Sequence, residues 1–243
     1  MTYPKTLLAT ALLAGAGIAH AELSANLGVQ SNYYFRGITQ TDDNAAVSGG
    51  IDYAHDSGFY LGTWMSNVDF GDDSKADVEV DGYAGFGGDI GDTGIGYDLS
   101  AWYYWYPGAG GDNQGGDLDY AEASGSLSYW WLTGTLAYTF WAEADGPGPF
   151  QNGDLWFELG VDPGWSYEGF APTASIGSYA FDDDGKDVGG SDLDLDYTTW
   201  SIGISKDAGD FGSLSVNYVQ VDDKNDVNPD DNPNFWIGWA KDF

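Results

Sequence analysis

Carboxylates are the side chains of this sequence most able to do chemistry, because they far outnumber every other reactive type. The 243 residues include 39 Asp and Glu against 7 Lys and Arg, two histidines and no cysteine, and the net charge is −32 at pH 7. Binding to nucleic acid needs clustered Lys and Arg and is excluded. This much acid predicts cations near the protein, as permeant ions, as bound ions or as the salt of a saline habitat.

Five carboxylates stand at alternate positions of strand-like segments, on the faces that carry few large aliphatic residues. If the apolar faces look outward, the five that point inward are Glu79, Asp81, Asp98, Glu122 and Glu158. Carboxylates with few basic partners would line a pore that favours cations, because fixed charge selects the sign of the ion. The alternative is that they lie near strand ends and only solvate the rim. Paired carboxylates also serve glycosidases, but nothing in the sequence sets the separation which that chemistry needs.

Arg36 is the only arginine of the chain, and it follows the first strand-like segment. Its simplest interpretation is an ion pair with one of the many acids nearby. The functional interpretation is a constriction residue that lines the pore opposite the inward carboxylates. Both interpretations stay open at this point.

Catalysis is not expected. His55, next to Asp56 and Ser57, has the residue types of a hydrolytic triad. Adjacent residues in a tight turn rarely converge on one substrate, and an Asp-Ser-Gly run is common in turns for conformational reasons. We therefore expect this protein not to be an enzyme.

Acidic loops suggest a calcium hypothesis. Residues 182–187 are rich in oxygen ligands, and Asp192, Asp194 and Asp196 alternate so that a strand would place them on one face. Neither segment fits the EF-hand pattern, because its final Glu is missing. Weak Ca²⁺ binding at Asp192, Asp194 and Asp196 is thus the only metal site predicted, solvated loop charge is the alternative, and no other cofactor is expected.

These residues would be positioned by strands, because alternation with a period of two repeats along the chain. The first segment puts Leu23, Leu27 and Val29 on one face and continues to Phe35, with Ser, Asn and Gln on the other face. Eleven further segments are predicted near 45–55, 59–69, 76–87, 94–106, 118–129, 131–141, 154–162, 171–180, 196–206, 211–221 and 234–243. Their lengths match the 9–11 residues that a tilted strand needs to cross a membrane.

The connections alternate between short and long, which is typical of outer-membrane barrels with short periplasmic turns and longer external loops. The sequence therefore predicts an all-β fold: a single transmembrane antiparallel up-and-down β-barrel of about twelve strands. A soluble β-sandwich also has alternating strands, but it does not explain the alternation in loop length.

Both chain ends carry export signals. Residues 1–21 have one Lys, a short apolar run and a final Ala-His-Ala, which is typical of a signal peptide, so the barrel is expected to occupy residues 22–243. The chain ends on Phe243 with apolar residues at alternate positions before it, apart from Lys241. Such an end is similar to the signal read by outer-membrane assembly machinery. The expected location is the outer membrane of a Gram-negative bacterium, with its lipid and that machinery as partners.

Several stretches resemble one family. They are residues 31–41, 50–64, 66–70 and the Tyr-Tyr-Trp-Tyr-Pro-Gly run at 103–108. They are similar to the TorF-like porins, which are also catalogued as a conserved proteobacterial family of unknown function. The resemblance implies an outer-membrane barrel with a pore role.

The sequence as a whole favours a porin-like channel that transports small solutes and prefers cations. The alternative is a non-conducting structural or surface-binding barrel whose acidic loops hold divalent ions.

Overall fold

Twelve antiparallel strands close into a barrel in the computed structural model, which describes residues 22–71, 75–109, 118–144, 148–188, 191–192, 194–223 and 234–243. Each strand pairs with the next along the chain, and β12 pairs with β1. The predicted up-and-down order and strand number are confirmed. The strands are β1 (Glu22–Gln30), β2 (Ala46–Ala54), β3 (Phe59–Asn67), β4 (Val78–Asp89), β5 (Ile95–Trp105), β6 (Tyr120–Tyr129), β7 (Leu132–Ala142), β8 (Leu155–Val161), β9 (Phe170–Ala180), β10 (Tyr197–Asp207), β11 (Ser213–Asp223) and β12 (Asn234–Asp242).

The predicted signal peptide, residues 1–21, lies outside the described residues, and β1 begins directly after it at Glu22. Within the described part of the chain, no helix has the length and apolar character needed to cross a membrane.

The alternating residues separate to the two surfaces of the barrel wall. Large apolar side chains are exposed on the outside, as at Leu23, Leu99 and Ile237. The inward positions of the same strands hold mainly Ser, Gly, Thr, Asn and Tyr. This distribution suits a wall between lipid and a polar lumen.

The connections define two ends of the barrel. Short connections join strands at the end that also holds Glu22 and Phe243, which we call the turn end; the shortest is Trp130–Trp131. The longer connections, such as 31–45 and 181–196, lie at the opposite end, the loop end. The predicted alternation in loop length is confirmed.

The first strand is shorter than predicted. It ends at Gln30, and Tyr34–Phe35 pairs instead with Ile38–Thr39 in a small hairpin of its own. Asn32 explains the departure, because its side chain accepts hydrogen bonds from Thr39 Oγ1 (2.7 Å) and Thr41 Oγ1 (3.0 Å), which hold the chain in a loop. A second small hairpin pairs Asp187–Val188 with Ser191–Asp192.

Candidate pore interior

A hairpin from the loop end folds into the lumen. Its turn, Arg36-Gly37, has both residues at positive φ (49° and 92°), as a two-residue turn of type I′ requires. Glycine fits the second position because a Cβ on Gly37 would lie 2.7 Å from Thr199 Oγ1 on β10. Arginine adopts positive φ only at a cost in free energy, so its interactions must compensate for that cost.

Arg36 forms a bidentate ion pair with Glu122 of β6. Its Nη1 and Nη2 atoms donate to the two carboxylate oxygens at 2.7 Å each, and Nη1 also donates to the Tyr179 hydroxyl at 3.0 Å. The side chains of Arg36 and Glu122 are 10% and 2% exposed. Two parallel hydrogen bonds between charged groups are the strongest arrangement that arginine and a carboxylate can form. Both earlier interpretations of Arg36 therefore describe one contact, since its acid partner is an inward carboxylate.

Aromatic rings surround this ion pair. The guanidinium carbon lies 4.6 Å, 5.4 Å and 5.2 Å from the ring centroids of Phe35, Trp156 and Tyr179. Tyr197 donates from its hydroxyl to the carbonyl oxygen of Arg36 at 3.0 Å. Cation–π attraction grows when the cation is removed from water, as it is here.

The ion pair belongs to a packed layer of inward side chains near the loop end, which we call the loop-end layer. Its buried members come from every strand between β4 and β11: Glu79, Asp81, Tyr104, Tyr120, Glu122, Ala137, Thr139, Trp156, Tyr179, Tyr197, Thr199, Val219 and Val221. Tyr104 of β5 stacks on Tyr120 of β6 with ring centroids 4.3 Å apart, and Tyr179 stacks on Phe181, which directly follows β9, at 4.1 Å. The layer therefore closes most of the lumen at this level.

Glu79 and Asp81 lie at two successive inward positions of β4 within this layer. Tyr106 donates from its hydroxyl to Glu79 Oε1 at 2.8 Å, and the buried Tyr33 lies near the same carboxylate. Two buried oxygens, Glu79 Oε2 and Asp81 Oδ1, have no hydrogen-bond partner. A buried carboxylate oxygen without a donor is costly, so this pair requires an explanation.

The turn-end half of the lumen is different in composition. Apart from the buried Tyr60, Tyr83, Ser126 and Asn217, most of its inward residues are small or polar and only partly buried: Ser24, Gly28, Ser48, Gly62, Gly85, Asp98, Ser100, Ser124, Ser128, Thr133, Thr135, Glu158, Gly160, Thr173, Ser175, Ser201, Gly203, Ser205 and Ser215. Side chains of this size leave space at the centre of a twelve-stranded barrel. We call this region the turn-end vestibule.

Two tyrosines lie flat against the wall of the vestibule. Tyr60 of β3 crosses β4 at Gly85 and donates from its hydroxyl to both carboxylate oxygens of Asp98 on β5, at 2.9 Å and 2.8 Å. Tyr83 of β4 crosses β3 in the opposite direction and donates to Asp52 on β2. A Cβ on Gly85 would lie 2.4 Å from the Tyr60 ring, so glycine is required for this crossing. Both rings therefore lie along the wall and cross a neighbouring strand.

The five predicted inward carboxylates all occupy inward positions, but they divide between the two regions. Glu79, Asp81 and Glu122 belong to the loop-end layer and are buried. Asp98 and Glu158 face the vestibule and are partly exposed, and Glu158 hydrogen-bonds to Ser175. A single ring of five carboxylates is therefore not formed.

The predicted calcium ligands do not share a strand face. Asp192 belongs to the small hairpin, whereas Asp194 and Asp196 precede β10 in irregular structure. Asp196 Oδ1 accepts the N–H of Phe181 at 2.7 Å. Among the residues that the structure describes, no three His, Cys, Asp or Glu side chains gather into a metal site. The expected common face is wrong, because β10 begins only at Tyr197.

His55 and Ser57 do touch, which the sequence reasoning did not expect. His55 Nδ1 lies 2.9 Å from Ser57 Oγ and also accepts the N–H of Ser57 at 3.1 Å. Both contacts close an exposed turn between β2 and β3. Turn geometry explains them fully.

Two acids in the loops above the layer have altered pKa values. Burial raises the pKa of Asp154 to about 6, although the N–H groups of Asp182 and Gln151 donate to its carboxylate at 2.9 Å and 2.8 Å. The hydrogen bond from Lys186 lowers the pKa of Asp183. The connections at 148–154 and 181–186 are thus held together by buried acids.

Comparisons with known proteins support the fold. A model of the family Gcw_chp, described as a bacterial protein of unknown function, matches residues 14–234. Comparison with curated proteins finds no match. The solved structure "KdgM porin" matches with a TM-score of 0.54 and 8% identity, covering 90% of this chain and 99% of the porin.

Longer chains match less well. OprD of Pseudomonas aeruginosa and OccAB2 of Acinetobacter baumannii each have a TM-score of 0.44, with 11% and 15% identity. The matches cover 91% and 82% of this chain, which spans only 66% and 55% of those chains. The expected porin-type fold is confirmed by the first structure, whereas the TorF-like name stays a prediction.

Proposed function

Because the chain belongs to the bacterial family Gcw_chp, whose description assigns no activity, we propose a function from the barrel itself: an outer-membrane channel for small solutes. The observation that supports this proposal most strongly is the turn-end vestibule, a partly exposed polar space inside a closed barrel whose outer face is apolar. A filled core, as in a purely structural barrel, would not leave Ser and Gly along so many inward positions.

The loop-end layer determines how such a channel conducts. The hairpin at residues 34–39 blocks the lumen through the Arg36–Glu122 ion pair, so solutes pass only when this hairpin moves or when they use the space beside it. The same layer supports the second candidate function, a non-conducting barrel. Conductance separates the two.

The proposed channel prefers cations. Arg36 is the only arginine, and its charge is balanced by Glu122, which leaves Asp52, Asp98, Glu158 and Asp242 among the acids along the vestibule. Fixed negative charge in a narrow polar space raises the local concentration of cations. Asp52 is an addition to the predicted set; its signal was its inward alternation on β2.

The test is conductance and reversal potential of the refolded protein in a planar bilayer with a salt gradient. We expect small conductance steps with a reversal potential of cation-selective sign, and a shift toward zero in the double variant Asp98→Asn, Glu158→Gln. The matched control is Asp56→Asn, Asp92→Asn, which removes the same charge from exposed turns and should leave the selectivity near that of the native protein. Anion selectivity would contradict the cation preference, and absence of conductance would favour the non-conducting barrel.

A further inference from the structure

Glu79 and Asp81 form a pair of acids that the packing of the lumen does not explain. Their side chains are 2% and 5% exposed, and no ion pair in the described part of the chain involves either of them. Glu79 Oε2 and Asp81 Oδ1 are buried without any hydrogen-bond partner. Two such charges in a dry site are strongly destabilising unless something balances them.

The described neighbours of the pair in the sheet supply oxygen atoms. In the register of the sheet, Ser66 and Trp64 of β3 stand opposite Glu79 and Asp81, and Tyr104 of β5 stands opposite Asp81 from the other side. Tyr33 and Tyr106 contribute phenol oxygens from the adjoining connections. Arg36 is paired with Glu122 and also donates to Tyr179.

Hydrogen bonding indicates which kind of ligand the two carboxylates can bind. The Tyr106 phenol donates to Glu79 Oε1 at 2.8 Å, and a donor of this kind favours the ionised carboxylate over the protonated one. The unpartnered oxygens of the two residues belong to successive inward positions, about 7 Å apart along the strand. A hard cation is coordinated by carboxylates, hydroxyl groups and water, and a divalent ion would balance both charges.

We propose that Glu79 and Asp81 bind one divalent cation of the calcium class inside the lumen, with the Ser66 hydroxyl, the Tyr33 and Tyr106 phenols and water completing its oxygen ligands. The cation bridges β4 to Tyr33 and Tyr106, which lie outside the strands, and so stabilises the loop-end layer. The inference rests on the proposed channel only for the route by which the cation enters.

The test measures thermal stability, so its outcome does not depend on conductance. The temperature at which the folded barrel loses its heat-modifiable gel mobility is recorded against CaCl₂ concentration at constant ionic strength and pH 7. For the native protein we expect a saturable rise on the order of several degrees, because a ligand of the folded state alone stabilises it. The double variant Glu79→Gln, Asp81→Asn should lose the saturable rise and show at least native stability without calcium.

Two controls keep the result specific. The double variant Asp182→Asn, Asp184→Asn removes two acids from the loop that contains Lys186, away from the proposed site. It should keep the saturable rise in thermal stability with calcium. The single variants Glu79→Gln and Asp81→Asn serve if the double variant fails to fold, and each should weaken the calcium response at least tenfold.

Three outcomes would overturn the proposal. The first is a native protein that does not respond to calcium. The second is a double variant with the native response, which would place the ion elsewhere. The third is a native protein stabilised by acid instead of calcium through these two residues, which would show that they share protons.

Discussion

The two halves of the lumen are built from the same wall but with opposite side chains. Near the loop end, large rings and charged groups from β4 to β11 pack around the Arg36–Glu122 ion pair. Near the turn end, the same strands present Ser, Gly and Thr, and the tyrosines Tyr60 and Tyr83 lie flat on the wall. The diameter of a barrel is set by its strand number, so the choice of inward side chains alone decides where it is closed.

The two halves of the lumen suit two different tasks: the loop-end layer restricts passage, and the turn-end vestibule accommodates water. A packed layer resists passage and needs fully satisfied polar groups, because its members are out of water. A vestibule needs small side chains that tolerate water. Substitutions that remove packing from the loop-end layer, or that fill the turn-end vestibule, test whether the two halves have these different roles.

The largest effect is expected from Glu122→Ala, which leaves Arg36 buried without its partner. Removing one member of a buried ion pair costs about 3–5 kcal/mol of unfolding free energy. The double variant Arg36→Ala, Glu122→Ala should cost less, since no unpaired charge remains, and should conduct more because the hairpin is released. Urea unfolding in lipid vesicles and bilayer conductance check both parts. Equal stability losses in the single and double variants would show that the charge pairing is unimportant.

A second, smaller effect is expected from Gly85→Ala in the vestibule. The new methyl group would collide with the Tyr60 ring, which must then swing into the lumen. Overpacking of this kind costs about 1–3 kcal/mol, and the displaced ring should lower the conductance of the open channel. Gly82→Ala is the matched control, because it lies on the same strand with open space around its Cβ and should change neither quantity.

The third effect concerns pH at the loop end. The pKa of Asp154 is raised to about 6, above the usual value of 3.8, so the folded protein binds this proton more tightly than the unfolded chain. The contribution of Asp154 to stability should therefore increase as the pH falls from 7 to 5. Asp183 has a lowered pKa, and its contribution is lost only below that window. Comparing unfolding midpoints at pH 7 and pH 5 should show a smaller acid-induced gain in Asp154→Asn than in the native protein.

The smallest effect is expected from Tyr60→Phe, which removes the phenol donor of Asp98 and keeps the ring. One such hydrogen bond contributes about 1 kcal/mol at a site that water can reach. Tyr138→Phe, on the exposed outer face of β7, should change the unfolding free energy by much less. If both variants behave alike, the Tyr60–Asp98 contact does not hold the ring on the wall.

The strands were predictable because alternation with a period of two is a local property of a wall between lipid and a polar lumen. The segment from Ile95 to Trp105 shows this, since its outward residues could be assigned from sequence alone. The end of β1 was predicted wrongly, because the alternation continues through Tyr33 and Phe35 into a hairpin. The Arg-Gly pair followed by Ile-Thr was the available signal for that hairpin, since glycine favours two-residue turns.

The division of the lumen could not be read from the sequence. Arg36 and Glu122 are 86 residues apart, and nothing in their local patterns links them. The same holds for Glu79 and Asp98, which share the inward alternation but differ in burial because only the former lies at the level reached by the loops. Alternation predicts whether a side chain points into the lumen or outward. Its position along the barrel axis and its interaction partner depend on how the loops fold.

The contact between the two ends of the chain has a consequence for assembly. β1 and β12 pair over five positions, against nine for β1 and β2, and the backbone groups of Ala25 and Phe243 bond to each other at 3.2 Å and 2.8 Å. These partners are separated by nearly the whole sequence, so bringing them together has the largest entropic cost of loop closure of any pairing in the sheet. We expect this seam to form last during folding and to exchange its amide hydrogens first, while the hairpins from β2 to β11 are already protected.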